Sequence, residues 1–244
     1  MTWGGMIEWQ HVDLVRKEFA LSLVGMSRVI FVALMVAVVG VGAGAQTAVP
    51  AGEVVSHFAD TSMLKPPAGA KVAIVEWEDL ECPYCAHAFP FVHAAISHYK
   101  IPLVRYDFHI PGHVWSHEGA IYARYLEDKV SLELATEYRR EVFASQFKIA
   151  NKDDLNRFTK EFFAAHGKAL PFVVDPTGAL EREVHEGDVL GSRLSSRMYT
   201  PTIIVVTPKA WIEVKDVADL YKAIDDAEDS VGGSSVAQHA AAKP

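Results

Sequence analysis

The chain has only two cysteines in 244 residues, Cys82 and Cys85. That scarcity excludes a multi-bridge disulfide framework, and an all-cysteine zinc site would need two more. No stretch of clustered lysine and arginine occurs, and the formal net charge is −8, which together exclude a protein that tracks nucleic-acid phosphates. A glycine-rich phosphate loop and a nucleophile elbow are both missing, so nucleotide chemistry and serine hydrolysis lack their machinery. There is no internal repeat. Nor is there an apolar run of the roughly 20 residues that a membrane-spanning helix requires. What is present is 50% hydrophobic residues, enough to bury one sizeable core.

The longest apolar run, residues 29–41, follows Arg28 and leads into Ala43, Gly44 and Ala45. Charge, apolar stretch and small residues in that order are the layout of a secretory signal, with a cut expected between Ala45 and Gln46. A periplasmic or otherwise extracytoplasmic location follows from it. The alternative is retention as an N-terminal membrane anchor, for which the run is short. Residues 1–25 carry Trp3, Glu8, Trp9, Asp13 and Glu18, unlike a basic leader, so translation is expected to start at Met26. Removing residues 1–45 takes away Arg16, Lys17 and Arg28 together with Glu8, Asp13 and Glu18, and the charge balance is unchanged.

Residues 46–70 contain Pro50, Pro66, Pro67 and Gly69 with little periodicity and read as a lead-in arm. The domain proper spans 71–229. It opens on a β-branched run, 71–77, suited to a strand buried on both faces. Pro83 fits the first turn of a helix over 84–99, which Pro90 should bend. A second strand over 101–110 completes a βαβ unit with the cysteine pair at the helix N-terminus. Segments 115–128, 131–147, 151–166 and 178–197 read as helices, a helical insertion over about 112–197. Trp115, Tyr122, Tyr125, Phe143, Phe147, Phe158, Phe162 and Phe163 fall at helical spacings and are expected to form its core. A strand over 202–207, a hairpin partner over 210–214 and an amphipathic helix over 216–227 close the domain. The Gly/Ser/Ala-rich tail, 230–244, is expected to be disordered.

A bridge across two intervening residues closes too short a loop to restrain the unfolded chain much, so redox chemistry is the better reason for the pair. At a helix start, Cys82 meets unsatisfied amides and the positive end of the helix dipole, both of which favour thiolate. Cys82 is therefore the expected nucleophile, and Cys85, one turn inside, the resolving thiol. Glu76, Glu78, Asp79 and Glu81 oppose this, but an exposed carboxylate costs about 1 kcal/mol at such distances, less than one pKa unit. A Cys82 pKa of roughly 3.5 to 7.5 is expected. A zinc half-site completed by His87 and His93 is the competing reading.

Glu76 lies in line with Val72 and Ile74 on a strand that otherwise reads as buried, leaving two readings open: proton exchange with Cys85, or a structural charge that is either paired with Arg or Lys or simply at the strand end. His109, His113 and His117 recur every four residues, yet Pro111-Gly112 breaks any helix that would align them for a metal. They read as a loop leading to a helix that starts near Ser116.

The segment from Val75 to Cys85, with an acidic residue six before the first cysteine, resembles the strand-to-active-site segment of the DsbA-type family of thiol-disulfide oxidoreductases. Thr200-Pro201-Thr202-Ile203-Ile204-Val205 resembles that family's cis-proline loop and following strand. Coverage runs over about 72–227. The resemblance implies an α/β thioredoxin-like fold with a helical insertion and a cis Pro201 opposite Cys82. It further implies that the Thr200 backbone pairs with an extended client, with Pro83 and Tyr84 beside it. His113 would border the site. The pair's centre is Pro83-Tyr84, where strongly oxidising members carry Pro-His, and Tyr84 adds bulk and a hydroxyl but no charge.

The expected activity is disulfide exchange with exported, cysteine-containing clients, mainly as a monomeric oxidase reoxidised by a membrane quinone-linked thiol oxidase, without cofactor or metal. Residues 46–70 are too few for the added dimerisation domain usual in isomerases of this superfamily. The alternatives are an isomerase or reductase, or an exported peptide- or copper-binding module on the same scaffold.

Overall fold

The computed structural model describes residues 49–50 and 57–232. The signal-like run at 29–41, the Ala45/Gln46 cut, Met26, and the tail beyond Gly232 lie outside the described residues. Among the described residues five strands form one sheet: β1 (Val49–Pro50), β2 (Ala73–Glu78), β3 (Leu103–Asp107), β4 (Thr202–Val206) and β5 (Ala210–Val214). Their order is β1-β5-β4-β2-β3. β2 pairs parallel with β3 and antiparallel with β4, so the chain's β-branched run sits between two neighbours with every residue buried. Among the described residues six helices accompany the sheet: α1 (Pro83–Tyr99), α2 (Ser116–Lys129), α3 (Leu132–Ser145), α4 (Lys152–Ala165), α5 (Ala179–Leu194) and α6 (Leu220–Gly232). No helix among the described residues is long and apolar enough to cross a membrane.

Alternation along β2 divides the molecule. Ile74 faces a cluster built from Ala88, Val92 and Ala95 of α1 and Leu220, Ala223 and Ile224 of α6. Ala73, Val75 and Trp77 face the opposite side, where Leu194 of α5 packs with Phe58 and Leu64. There α5 approaches β3 so closely that a Cβ on Gly187 would lie 2.2 Å from the Asp107 carbonyl oxygen, so only glycine fits. The Gly187 carbonyl takes a 3.2 Å hydrogen bond from the Trp77 indole.

Helices α2, α3 and α4 form the insertion between β3 and β4, with their own core. Capping explains two of the starts: Ser131 Oγ accepts from Leu134 N, and Asn151 Oδ1 accepts from Asp154 N. Trp115, Tyr122, Phe143, Phe162 and Phe163 are buried in this core, with Tyr125 and Phe158 packed against it.

Phe147 departs from expectation and is 82% exposed. The helix ends at Ser145 and a 3-10 turn, Gln146–Lys148, replaces it, so the i, i+4 relation to Phe143 is lost. Three further differences concern the ends of the chain. Val49–Pro50 of the lead-in arm adds an edge strand to β5. Phe58 and Leu64 of the same arm are core residues rather than linker. The last helix begins with a 3-10 turn, Val217–Asp219, and runs past Ser230 to Gly232. α1 continues through Pro90 without interruption and ends where Lys100 turns into the left-handed region.

Candidate active site

Cys82 is the N-cap of α1, in extended backbone, and Pro83 follows in the first turn, where its missing N–H costs no helical bond. Cys85 lies one turn in. Both sulfurs are thiols here, and both are buried, Cys82 with 5% and Cys85 with 1% exposure. The expected contrast between an open and a shielded sulfur is therefore one of chemistry more than of area. Tyr84 between them projects outward at 73% exposure.

The two thiols are displaced in opposite directions. A hydrogen bond from Cys85 draws the Cys82 pKa down to about 6 from 9.0; burial works against this, while the Thr200 side chain and the amides of Cys85 and Tyr84 assist it. Burial pushes Cys85 well up, and its neighbour Cys82 adds to the effect. As a thiol, Cys82 donates to the Thr200 carbonyl oxygen at 3.4 Å. The Thr200 hydroxyl, buried and without a hydrogen-bond partner of its own, can turn toward the sulfur once it ionises. The Thr200-Pro201 bond is cis, and it opens β4 where a missing amide donor is tolerated. A groove lined by Tyr84, His87, Tyr199, Thr200, Pro201 and Ile203 opens beside it.

The acidic residues before Cys82 are not the exposed crowd their sequence suggests. Glu76, Glu78 and Asp79 are buried. Glu81 Oε2 accepts from the backbone amides of Trp115 and Ser116, capping α2, whose own N-cap residue, Trp115, supplies no side-chain capping bond. Asp79 takes the backbone N–H groups of Glu81 and Ile110 and the His113 ring. Glu78 Oε1 lies 2.7 Å from Arg139 Nη1 and 3.1 Å from Arg105 Nε. Arg139, fully buried on α3, also holds Asp107, which Arg124 of α2 reaches as well. Burial would raise the Asp107 pKa, but the two guanidinium groups overcome it and hold the carboxyl far below the usual range.

Glu76 is the exception. Neither of its oxygens has a hydrogen-bond partner, and Arg105, its cross-strand neighbour, reaches Glu78 instead. Burial, then the charge of Glu78, raises its pKa to about 8 against the pull of Arg105 and Arg139. The Glu76 carboxyl thus makes a hydrogen bond neither to an arginine nor to Cys85.

The roles of three groups escaped sequence reasoning. Gln146 Nε2 donates to the Leu80 and Cys82 carbonyls at 2.8 and 3.0 Å, locking the insertion onto the cysteine turn. Arg139 and Glu81 are the others. None carried a local signal, because each partner is more than thirty residues away. The candidate zinc ligands do not converge: His93 accepts from Arg105, with burial and that guanidinium lowering its pKa to about 4, and the His87 ring lies tilted against Phe91. His109, His113 and His117 each meet a different carboxylate, Asp188, Asp79 and Glu181.

Comparison with known proteins fits this geometry. A family model described as thioredoxin matches residues 61–226. No curated protein matches the chain. Among solved structures, BdbD from Bacillus subtilis superposes with a TM-score of 0.54 at 18% identity, over 69% of this chain and 91% of its own. α-DsbA1 from Wolbachia pipientis gives 0.51 at 13%, over 68% and 90%. DsbA2 from Pseudomonas aeruginosa gives 0.50 at 15%, over 70% and 94%. The chain belongs to the thioredoxin family, and its fold, with a helical insertion between β3 and β4, is that of the DsbA-type thiol-disulfide oxidoreductases.

Proposed function

We propose that the protein exchanges disulfides with cysteine-containing client polypeptides, Cys82 making and breaking the bond to the client and Cys85 resolving it. The observation that carries this reading is the opposite displacement of the two thiols at the start of one helix. In the oxidising direction a client thiolate attacks Cys82 of the Cys82–Cys85 disulfide. The client–Cys82 bond forms, the Cys82–Cys85 bond breaks, and Cys85 leaves as a thiolate that takes up a proton. A second client thiolate then attacks the client sulfur, and Cys82 leaves. A sulfur that ionises near pH 6 is a good leaving group, which favours this direction.

Client backbone docks along Thr200 and Pro201 at the start of β4, with Pro83 and Tyr84 facing it. Glu76, protonated near neutral pH, serves as a proton store for the buried thiol. The oxidase works outside the cytoplasm as a monomer and is reoxidised by a membrane quinone-linked thiol oxidase, consistent with surroundings that favour disulfides. The replacement of His by Tyr84 makes its potential intermediate. Two assays on one preparation test the direction: oxidation of a reduced, unfolded client and repair of a scrambled one. Efficient oxidation is expected. Repair with negligible oxidation, or a stable dimer, would replace the oxidase with an isomerase.

A further inference from the structure

The Asp79 backbone contacts both cysteines. Its carbonyl oxygen accepts from Cys82 N at 3.0 Å, and its N–H donates to Cys85 Sγ at 3.4 Å. Its carboxylate has no exposed surface and is bound by three donors: Glu81 N at 2.7 Å, Ile110 N at 2.7 Å and His113 Nδ1 at 2.8 Å. Two of these are backbone groups. His113 is the side-chain donor, and it reaches in from the loop between β3 and α2, which a 3.0 Å bond from His113 N to the Ile110 carbonyl closes. Because a carboxylate can only accept, the proton sits on Nδ1. The ring is one quarter exposed, so it bridges solvent and a buried anion.

Resting on the disulfide-exchange reading, we infer that His113 is a positioning residue for the resolving step, anchoring the Asp79 carboxylate so that the Asp79 N–H stays on the Cys85 sulfur. A donor aimed at sulfur stabilises the thiolate over the thiol. Burial drives the Cys85 pKa up, and the Asp79 amide is the contact that works against it. Cys85 must shed its proton before it can attack. The step then balances: Cys85 thiolate attacks Cys82 Sγ of a mixed disulfide, the Cys82–Cys85 bond forms, the bond from Cys82 to its partner sulfur breaks, and the partner leaves as thiolate. The Asp79 N–H meets Cys85 Sγ, whereas the Cys82 sulfur meets the Thr200 carbonyl oxygen, so the clamp acts directly on one of the two sulfurs.

An aromatic disulfide such as Ellman's reagent separates the two events in the reduced full chain. One coloured thiolate is released when Cys82 attacks the reagent and a second when Cys85 resolves the adduct. With His113→Ala the first release should stay within about twofold of the original, while the second slows by about tenfold, the scale of one lost hydrogen bond to a charged group. His113→Asn, whose amide N–H can replace Nδ1–H, should restore the second release to within about threefold. His113→Phe keeps a ring without the donor and must behave as His113→Ala, which covers an alanine variant that fails to fold. Equal slowing of both releases, no slowing of either, or failure of His113→Asn to recover any of the loss would overturn the inference. Absence of the first release in the unmodified protein would instead remove the disulfide-exchange reading itself.

Discussion

The two faces of β2 solve different problems. On one, Ala73, Val75 and Trp77 need only leave water, and they do so against Leu194, Phe58 and Leu64. On the other, Ile74 is followed by Glu76 and Glu78, buried carboxylates immediately ahead of the cysteine turn. Glu78 is satisfied by guanidinium groups from β3 and α3, so its burial ties the insertion to the sheet. Glu76 is left alone. The comparison shows that this strand spends one of its acids on architecture and keeps the other in a state that can gain or lose a proton near neutrality.

Breaking the architectural half should have the largest effect. Arg139→Met leaves Glu78 and Asp107 buried beside a neutral side chain and should cost about 3–5 kcal/mol in urea unfolding. A loss below about 1 kcal/mol would mean that Arg105 and Arg124 suffice without it.

That cluster also marks where the sequence stops being readable. The run 71–77, the helix after Pro83, the strand at 202–207 and the insertion's helices were legible because backbone periodicity and caps such as Ser131 and Asn151 are local signals. The cysteine pair was legible as a motif, and the cis Pro201 only through the family resemblance. Arg139 was not, since Tyr138 and Arg139 are adjacent on α3 and both fully buried, and periodicity alone assigns no buried role to an arginine. Its partner Glu78 is 61 residues away in sequence. Glu81, which reads as a charge beside the nucleophile, caps a helix whose start lies 34 and 35 residues later. Phe147 failed in the opposite sense: its spacing from Phe143 is helical, but the helix stops first. The edge strand at Val49–Pro50 is too short to show any alternation.

Sharpening the comparison requires the unpaired acid. Glu76 has a folded pKa raised to about 8 from 4.5, so the native state keeps a proton that the unfolded chain releases. Its contribution is fully present below pH 4.5 and is lost as pH rises through 8. Glu76→Gln removes that dependence. The stability difference between variant and original should therefore shift in the variant's favour by a few kcal/mol from pH 5 to about pH 9. Urea midpoints on the oxidised protein, where no cysteine titrates, measure it. A difference that does not change with pH would show that Glu76 is ionised throughout.

The opposite displacement of the two cysteines is most directly tested by alkylating the reduced protein with iodoacetamide from about pH 4 to about pH 9 and mapping each site by mass spectrometry. Cys82 should react with a midpoint near pH 6, its thiolate being present above that value and lost as pH falls through it, while Cys85 stays unmodified across the range. A Cys82 midpoint near the ordinary 9.0, or equal rates at the two sulfurs, would contradict the division of labour between them.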